Sequence, residues 1–258
     1  MKVTVCQVDP RPGQLEGSLA VLRAHVQAAG TDFLLLPELC FSAWLAIERI
    51  PDARLWLASV AEHERHVARL ADLGARAVVG TRPIVTALGS RRNQAYLWEE
   101  SAADVVPKRE KYYLPDEPGY WEASWYDRGE KRFDLGRALG MRIGVLVCTE
   151  MWFMEWARHY AAERADVLCV PRATPYGSTD VWLAGGRAAA VCSGAFCLSS
   201  NLWYPPASET DCGGLGWIVD PDGVVLARTD AATPFATVTI DLEHARAAKH
   251  TYPRYVSE

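Results

Sequence analysis

The chain has no apolar run near the ~18 residues that a membrane-spanning helix needs. Its first residues, MKVTVCQVDP, carry neither the basic region nor the small-residue cleavage site of a secretory leader. Positive charge is also scarce. Lys and Arg number 27 against 32 Asp and Glu, a net charge of −5, so there is no electrostatic footprint for nucleic acid. The seven cysteines are odd in number and never in C-x-x-C spacing. That argues against a disulfide framework and fits reduced thiols in a cytoplasm. No G-x-S-x-G and no glycine-rich phosphate loop occurs. The HERH segment, residues 63–66, lacks H-E-x-x-H spacing and a third ligand nearby. His63 and His66 therefore read as the solvated side of a charge-rich helix, and neither a metal nor a cofactor is expected. Repeats, low-complexity tracts and linker-like shifts of composition are missing too. These absences leave a soluble, cytoplasmic chain with no membrane or nucleic-acid partner expected. Its 258 residues, half of them hydrophobic, suffice for one large core.

Within that chain, strand and helix patterns alternate. Residues 2–7 read as a strand, and residues 15–29 as a helix with Leu15, Leu19, Leu22 and Val26 on one face, ended by Gly30. Residues 33–36 form a fully apolar strand stopped by Pro37. A second helix is expected over 53–73, with Leu55, Val60, Val67 and Leu70 inward, and a strand over 77–80. Residues 93–98 and 104–106 read as a hairpin pair, and 107–129 as a loop long enough to be functional. Further on come a strand (167–170), a helix (181–193), a strand (196–200) and a hairpin turning at Pro221, Asp222 and Gly223. A last strand spans 235–242, and a polar, aromatic tail follows. The pattern predicts a single mixed, layered α/β domain over residues 1–258, with 243–258 as a C-terminal tail.

The stretch MRIGVLVCTEMWFMEWAR, residues 141–158, changes character at Cys148. A β-branched apolar run precedes it; Thr149 and Glu150 look like helix-start residues, and Trp152, Phe153, Trp156 and Tyr160 follow at helical spacing. A thiol at such a strand-to-helix turn is expected to have a lowered pKa and backbone donors beside it. A buried structural cysteine is the competing reading. Two other groups sit in comparable positions. Glu38, after LLLP, is poorly solvated and suits a general base, or else starts a helix. Lys111 has bulky neighbours in Tyr112, Tyr113 and Leu114, whereas Lys108 and Arg109 read as solvent-facing. It suits oxyanion stabilisation, or else lays its stem along a surface.

In this order and context, Glu38, Lys111 and Cys148 resemble the catalytic triad of the nitrilase, or carbon–nitrogen hydrolase, superfamily. The similarity extends over LLLPEL, REKYYLPDEPGYWE and IGVLVCTEMWFMEWAR, and then over ADVLCVPRATP, GGRAAAVCSGAFCLSSN and GGLGWIVDPDGVVLA. The resemblance implies a four-layer α-β-β-α sandwich, a second active-site glutamate at Glu122 in EASWYDRG (with Glu117 as the alternative), and a homodimer or larger assembly. That assembly would be joined near the helix after Cys148 and the C-terminal tail. The chain departs from the common pattern at Tyr113, where many members carry His, at Thr149-Glu150 after the cysteine, and at Leu202 after Asn201, where Arg is common.

The expected chemistry is hydrolysis of a non-peptide C–N bond in a small-molecule amide or N-carbamoyl compound through a Cys148 thioester. Trp44, Tyr113, Thr149 and Trp152 are the expected substrate-binding walls, and Arg172 with Thr174 the expected holders of a substrate carboxylate. Nitrile hydrolysis, acyl transfer to an amine, and an inactive binding or scaffold protein on the same fold are the alternatives.

Overall fold

A strand with apolar side chains on both faces needs a cover on each. The computed structural model describes residues 1–102 and 104–256 and meets that need with two stacked sheets and helices outside them. The first half runs β1 (Lys2–Val8), α1 (Leu15–Ala29), β2 (Phe33–Leu35), α2 (Ala53–Val67), β3 (Ala77–Val85), β4 (Arg91–Glu99), β5 (Val106–Glu110) and a short α3 (Glu122–Trp125). The second half runs β6 (Gly136–Ala138), β7 (Met141–Val145), α4 (Met154–Ala162), β8 (Val167–Arg172), α5 (Thr179–Ser193) and β9 (Phe196–Leu202). It closes with β10 (Trp217–Val219), β11 (Val225–Arg228), β12 (Phe235–Thr239) and α6 (Leu242–Ala248).

One sheet has the order β12-β1-β2-β3-β4-β5, and the other β11-β10-β9-β8-β7-β6. Their inner strands β1-β2-β3 and β7-β8-β9 are parallel. The last residues of β1 join the two sheets by pairing with β9, Gln7 opposite Asn201 and Val8 opposite Leu202. Alternation along β2 shows how the layers arise. Phe33 and Leu35 point between the sheets, towards Ile143 and Val145, while Leu34 and Leu36 point outward onto Leu22 and Val26 of α1. The expected four-layer α-β-β-α sandwich is the architecture found.

Several boundaries differ from the sequence expectation. The strand β5 takes up residues 106–110, so the long loop begins at Lys111. Residues 148–152 form a 3₁₀ turn, and α4 starts only at Met154. The tail contains α6, whose first turn Asp241 caps by accepting from the Glu243 N–H at 3.0 Å; Ser257 and Glu258 of the expected tail lie outside the described residues. The helix α2 is shorter and turned relative to expectation. It buries Trp56, Ser59, His63, His66 and Val67 and leaves Leu55 exposed. His63 and His66 are thus inside. A flat imidazole with both nitrogens bonded fills a core position: His63 Nδ1 donates to Ser59 O (2.8 Å) and Nε2 accepts from the Phe41 N–H (3.3 Å), while His66 stacks on Phe41. Burial lowers the His63 pKa to about 4, so the ring is neutral.

Candidate active site

The carboxyl ends of β2, β7 and β8 meet where the two sheets adjoin. The Glu38 N–H donates to the Arg172 carbonyl at 3.2 Å, tying the end of β2 to the end of β8. Pro37 stops the strand, and Leu39 then takes a left-handed backbone (φ 48°), held by its N–H to Thr81 Oγ1 at 2.7 Å. This turn leaves the Glu38 side chain fully buried. Its Oε1 accepts from Asn93 Nδ2 of β4 (2.8 Å) and Lys111 Nζ (2.9 Å), and its Oε2 has no hydrogen-bond partner.

Lys111 is the first residue past β5. Its N–H donates to Asn93 O (2.8 Å), and its carbonyl accepts from the Gly129 N–H (3.0 Å), so both sides of its backbone are pinned. The Nζ lies between Glu38 and both oxygens of Glu122, 2.7 Å from each of the latter. Glu122 opens α3 and is buried, whereas Glu117 is exposed on the rim. Of the two glutamates, Glu122 is the one the fold brings to the ammonium.

Cys148 follows β7 with a left-handed backbone (φ 49°), a conformation unfavourable for a side-chain-bearing residue unless its surroundings hold it. Here Glu150 does so: its N–H donates to Val147 O (3.1 Å) and its Oε2 accepts from the Val147 N–H (2.8 Å). The expected lowering of the thiol pKa is not found. Burial pushes the Cys148 thiol well above its ordinary value, and the Glu38 charge adds to that; Lys111 opposes both. The thiol is therefore protonated at rest. For Lys111, burial alone would lower the pKa, but the Glu122 and Glu38 charges override it and the ammonium stays charged. Burial, with the Glu38 charge adding and Lys111 opposing, raises the Glu122 pKa above the usual carboxylate value.

A crevice of about 670 Å³ opens onto this cluster. Cys148, Glu122, Tyr113, Thr149, Trp152 and Thr174 are among its walls. Tyr113 stacks on Phe153, ring centroids 3.5 Å apart, and Trp152 leans on Trp182 at 5.0 Å. The aromatic side chains after Cys148 are thus largely absorbed within the chain: Trp156 stacks on Phe133 and Tyr160 is fully buried. Two expected walls lie elsewhere. Trp44 is buried, with its Nε1 on Gly119 O at 2.9 Å, holding the long loop and not the crevice surface. Arg172 is also fully buried and cannot clasp a substrate directly, because its guanidinium already binds Ser199 Oγ, Thr174 Oγ1 and Leu215 O.

Sequence reading missed Asn93, which orients Glu38, and the buried pair of Arg109 and Glu150. Asn93 had one signal, a carboxamide opening the apolar run NQAYLW. Arg109, read as solvent-facing, lies over Phe133 (3.7 Å to the centroid) and pairs with Glu150.

The sequence pattern of the family described as Carbon-nitrogen hydrolase matches residues 2–250. Over 260 aligned residues the chain is 27% identical to a glutamine-dependent NAD(+) synthetase of Rhodobacter capsulatus, covering 98% of this chain and 45% of that protein. It is 28% identical over 160 residues to an N-carbamoylputrescine amidase of Solanum tuberosum, covering 56% of this chain and 53% of that one. The chain therefore spans about half the length of these curated relatives. Among solved structures, a carbon–nitrogen hydrolase from Helicobacter pylori G27 superposes with a TM-score of 0.84 at 20% identity, over 98% of this chain and 94% of that one.

Proposed function

The chain belongs to the carbon–nitrogen hydrolase family, and on that footing we propose that it hydrolyses a small amide or N-carbamoyl compound through a thioester on Cys148. The observation that carries this reading is the state of Glu38: a buried carboxylate with one oxygen on Lys111 and Asn93 and the other unpartnered. Of the charged groups acting on the Cys148 thiol, Glu38 acts most strongly. An unbonded buried carboxylate oxygen whose charge acts on a protonated thiol is a proton acceptor in waiting.

In this mechanism Glu38 takes the thiol proton as sulfur attacks the carbonyl carbon. The tetrahedral oxyanion is stabilised by Lys111 and by a backbone N–H of the 3₁₀ turn, a type of contribution worth about 10²–10³ in rate. Glu38 then returns the proton to the departing ammonia or amine, leaving the thioester. Water, oriented by the Glu38 and Glu122 carboxylates, releases the acid. Glu122 keeps the ammonium in place, since without it Lys111 would share its charge with Glu38 alone.

The alignment of 98% of this chain with 45% of a glutamine-dependent NAD(+) synthetase supports a primary amide as the bond cleaved. A screen for ammonia release over ω-amides, N-carbamoyl compounds and nitriles tests the substrate class. Replacing Glu38 by Gln should trap an acyl adduct on Cys148 by intact-protein mass spectrometry; an adduct on Cys6 or Cys40 instead would sink the assignment. The same reading includes a homodimer, for which the exposed Tyr252, Tyr255 and Val256 of the tail offer surface. Light scattering giving a pure monomer would remove it. The free state of all seven cysteines is in keeping with a reducing cytoplasm, and among the described residues no helix is long and apolar enough to cross a membrane.

A further inference from the structure

Behind the crevice lies a buried cation that the mechanism above does not use. Arg172 is fully buried, and its partners are neutral: Ser199 Oγ at 2.7 Å, Thr174 Oγ1 at 2.6 Å, Leu215 O at 2.6 Å and the Trp217 ring at 4.0 Å. Among the described residues no carboxylate forms an ion pair with it. A buried charge without a counter-charge is costly unless something negative comes to it. Burial lowers its pKa only to about 9, so the guanidinium is still charged at neutral pH.

The hydroxyl in front of it is constrained by hydrogen-bond arithmetic. The Thr174 N–H donates to Asn201 Oδ1 at 3.0 Å, which only an oxygen can accept, so the orientation of that amide is settled. Asn201 Nδ2 can only donate, and its two protons are shared among Gly214 O (2.6 Å), Thr174 Oγ1 (3.0 Å) and Thr174 O (3.1 Å). Arg172 Nη1 can only donate as well. A hydroxyl has two lone pairs and one proton. The polar neighbours of the Thr174 hydroxyl, Arg172 Nη1 and Asn201 Nδ2, are both donors, so its proton has no acceptor among the described residues, and Thr174 is a wall of the crevice.

We infer that the Thr174 hydroxyl, polarised by Arg172 behind it, anchors a carboxylate carried by the substrate, so that the enzyme prefers anionic amides over neutral ones. This rests on the hydrolase reading and names its substrate class. Arg172 is a positioning residue in this scheme, acting through Thr174. The charges at the mouth, Asp116, Glu117 and Arg128, are exposed and screened by water, whereas the buried guanidinium is not.

The test compares monoamides of three- to five-carbon dicarboxylic acids with neutral amides of the same length. The wild-type protein should favour the anionic member by about 10–100-fold in kcat/KM, the scale of a hydrogen bond to a charged group. T174V should collapse that ratio, and T174S, which restores the hydroxyl, should keep it within about threefold of wild type. R172M should collapse it too; where that variant does not fold, the Thr174 pair still decides. A second readout needs no turnover: alkylation of Cys148 by iodoacetate against iodoacetamide, with the anionic reagent faster in wild type and slower in T174V. Amides hydrolysed without charge preference, or with one that T174V leaves unchanged, would overturn the anchor while the hydrolase reading stands. No hydrolysis of either class, with iodoacetate still ahead at Cys148, would overturn the hydrolase reading and leave the anchor. Loss of both removes both.

Discussion

Two buried charge clusters flank the start of the long loop, and they differ in one respect. Glu150 uses both carboxylate oxygens: Oε2 accepts from Arg109 and the Val147 N–H, and Oε1 from the Tyr112 N–H at 2.8 Å. Glu38 uses only one. Glu150 lies two residues after Cys148 and Glu38 bonds Lys111 Nζ at 2.9 Å, and both are fully buried. The satisfied carboxylate, Glu150, fastens the turn that carries Cys148 to the strand and loop around Lys111, while Nη2 of its partner Arg109 has no hydrogen-bond partner. The unsatisfied carboxylate, Glu38, keeps a free acceptor, and its charge acts on the Cys148 thiol. A buried polar group left without a partner destabilises a fold by about 1–3 kcal/mol; in the proposed mechanism the free oxygen of Glu38 is the proton acceptor, whereas Glu150 holds the turn.

That contrast can be broken from several sides. The largest expected effect is on the chemistry: Cys148→Ala should lower turnover on any true substrate by on the order of 10⁴-fold or more, with the melting temperature close to wild type. Wild-type turnover in this variant ends the proposed mechanism. Next is Glu150→Ala, which strands the Arg109 guanidinium in the interior. It should lose about 3–5 kcal/mol of stability, roughly a 10 °C drop in melting temperature for a chain of this size. Glu38→Gln should do the reverse, abolishing turnover with a thermal shift of no more than about 4 °C. If Glu38→Gln melts as early as Glu150→Ala, the two clusters are alike and the contrast fails.

A smaller effect concerns pH. The folded His63 has a pKa near 4 against its ordinary 6.5. The unfolded chain therefore binds a proton there first as pH falls, and stability drops between pH 6.5 and 4, by at most about 3 kcal/mol. Denaturant titrations of His63→Gln should show a flatter dependence over that window; an unchanged slope would mean that the ring does not resist protonation. At the bottom of the scale, the exposed pair Arg69–Asp72, about half accessible on both sides, should contribute less than about 0.5 kcal/mol, so Arg69→Ala should barely move the melting curve.

Much of the layered plan was readable from local pattern. The β2 run, the α1 face ended by Gly30, whose φ of 64° suits a residue without a side chain, and the hairpin at Pro221-Asp222-Gly223 are all expressed in neighbouring residues. Glu38 and Cys148 were readable as reactive groups beside strand ends; Lys111 read as lying inside a loop, and the resemblance of their motifs joined the three. The errors fell where a polar residue was taken as solvated because its sequence neighbours were charged. His63, His66 and Arg109 are inside because Phe41, Ser59, Phe133 and Glu150 satisfy them, and most of those partners lie far along the chain.

By itself the sequence determined most of the strands and helices and that apolar faces alternate so as to demand covers on both sides, because such information lives in the period of the side chains; the choice of Glu38, Lys111 and Cys148 rested on the resemblance of their motifs. Only the tertiary structure decided which charges are buried, that Glu122 and not Glu117 meets the ammonium, that the Cys148 thiol is held protonated, and that Arg172 is committed inward. Burial and hydrogen-bond satisfaction are set by partners distant in the chain, and a polar side chain leaves no mark in its own neighbourhood of whether such a partner will arrive.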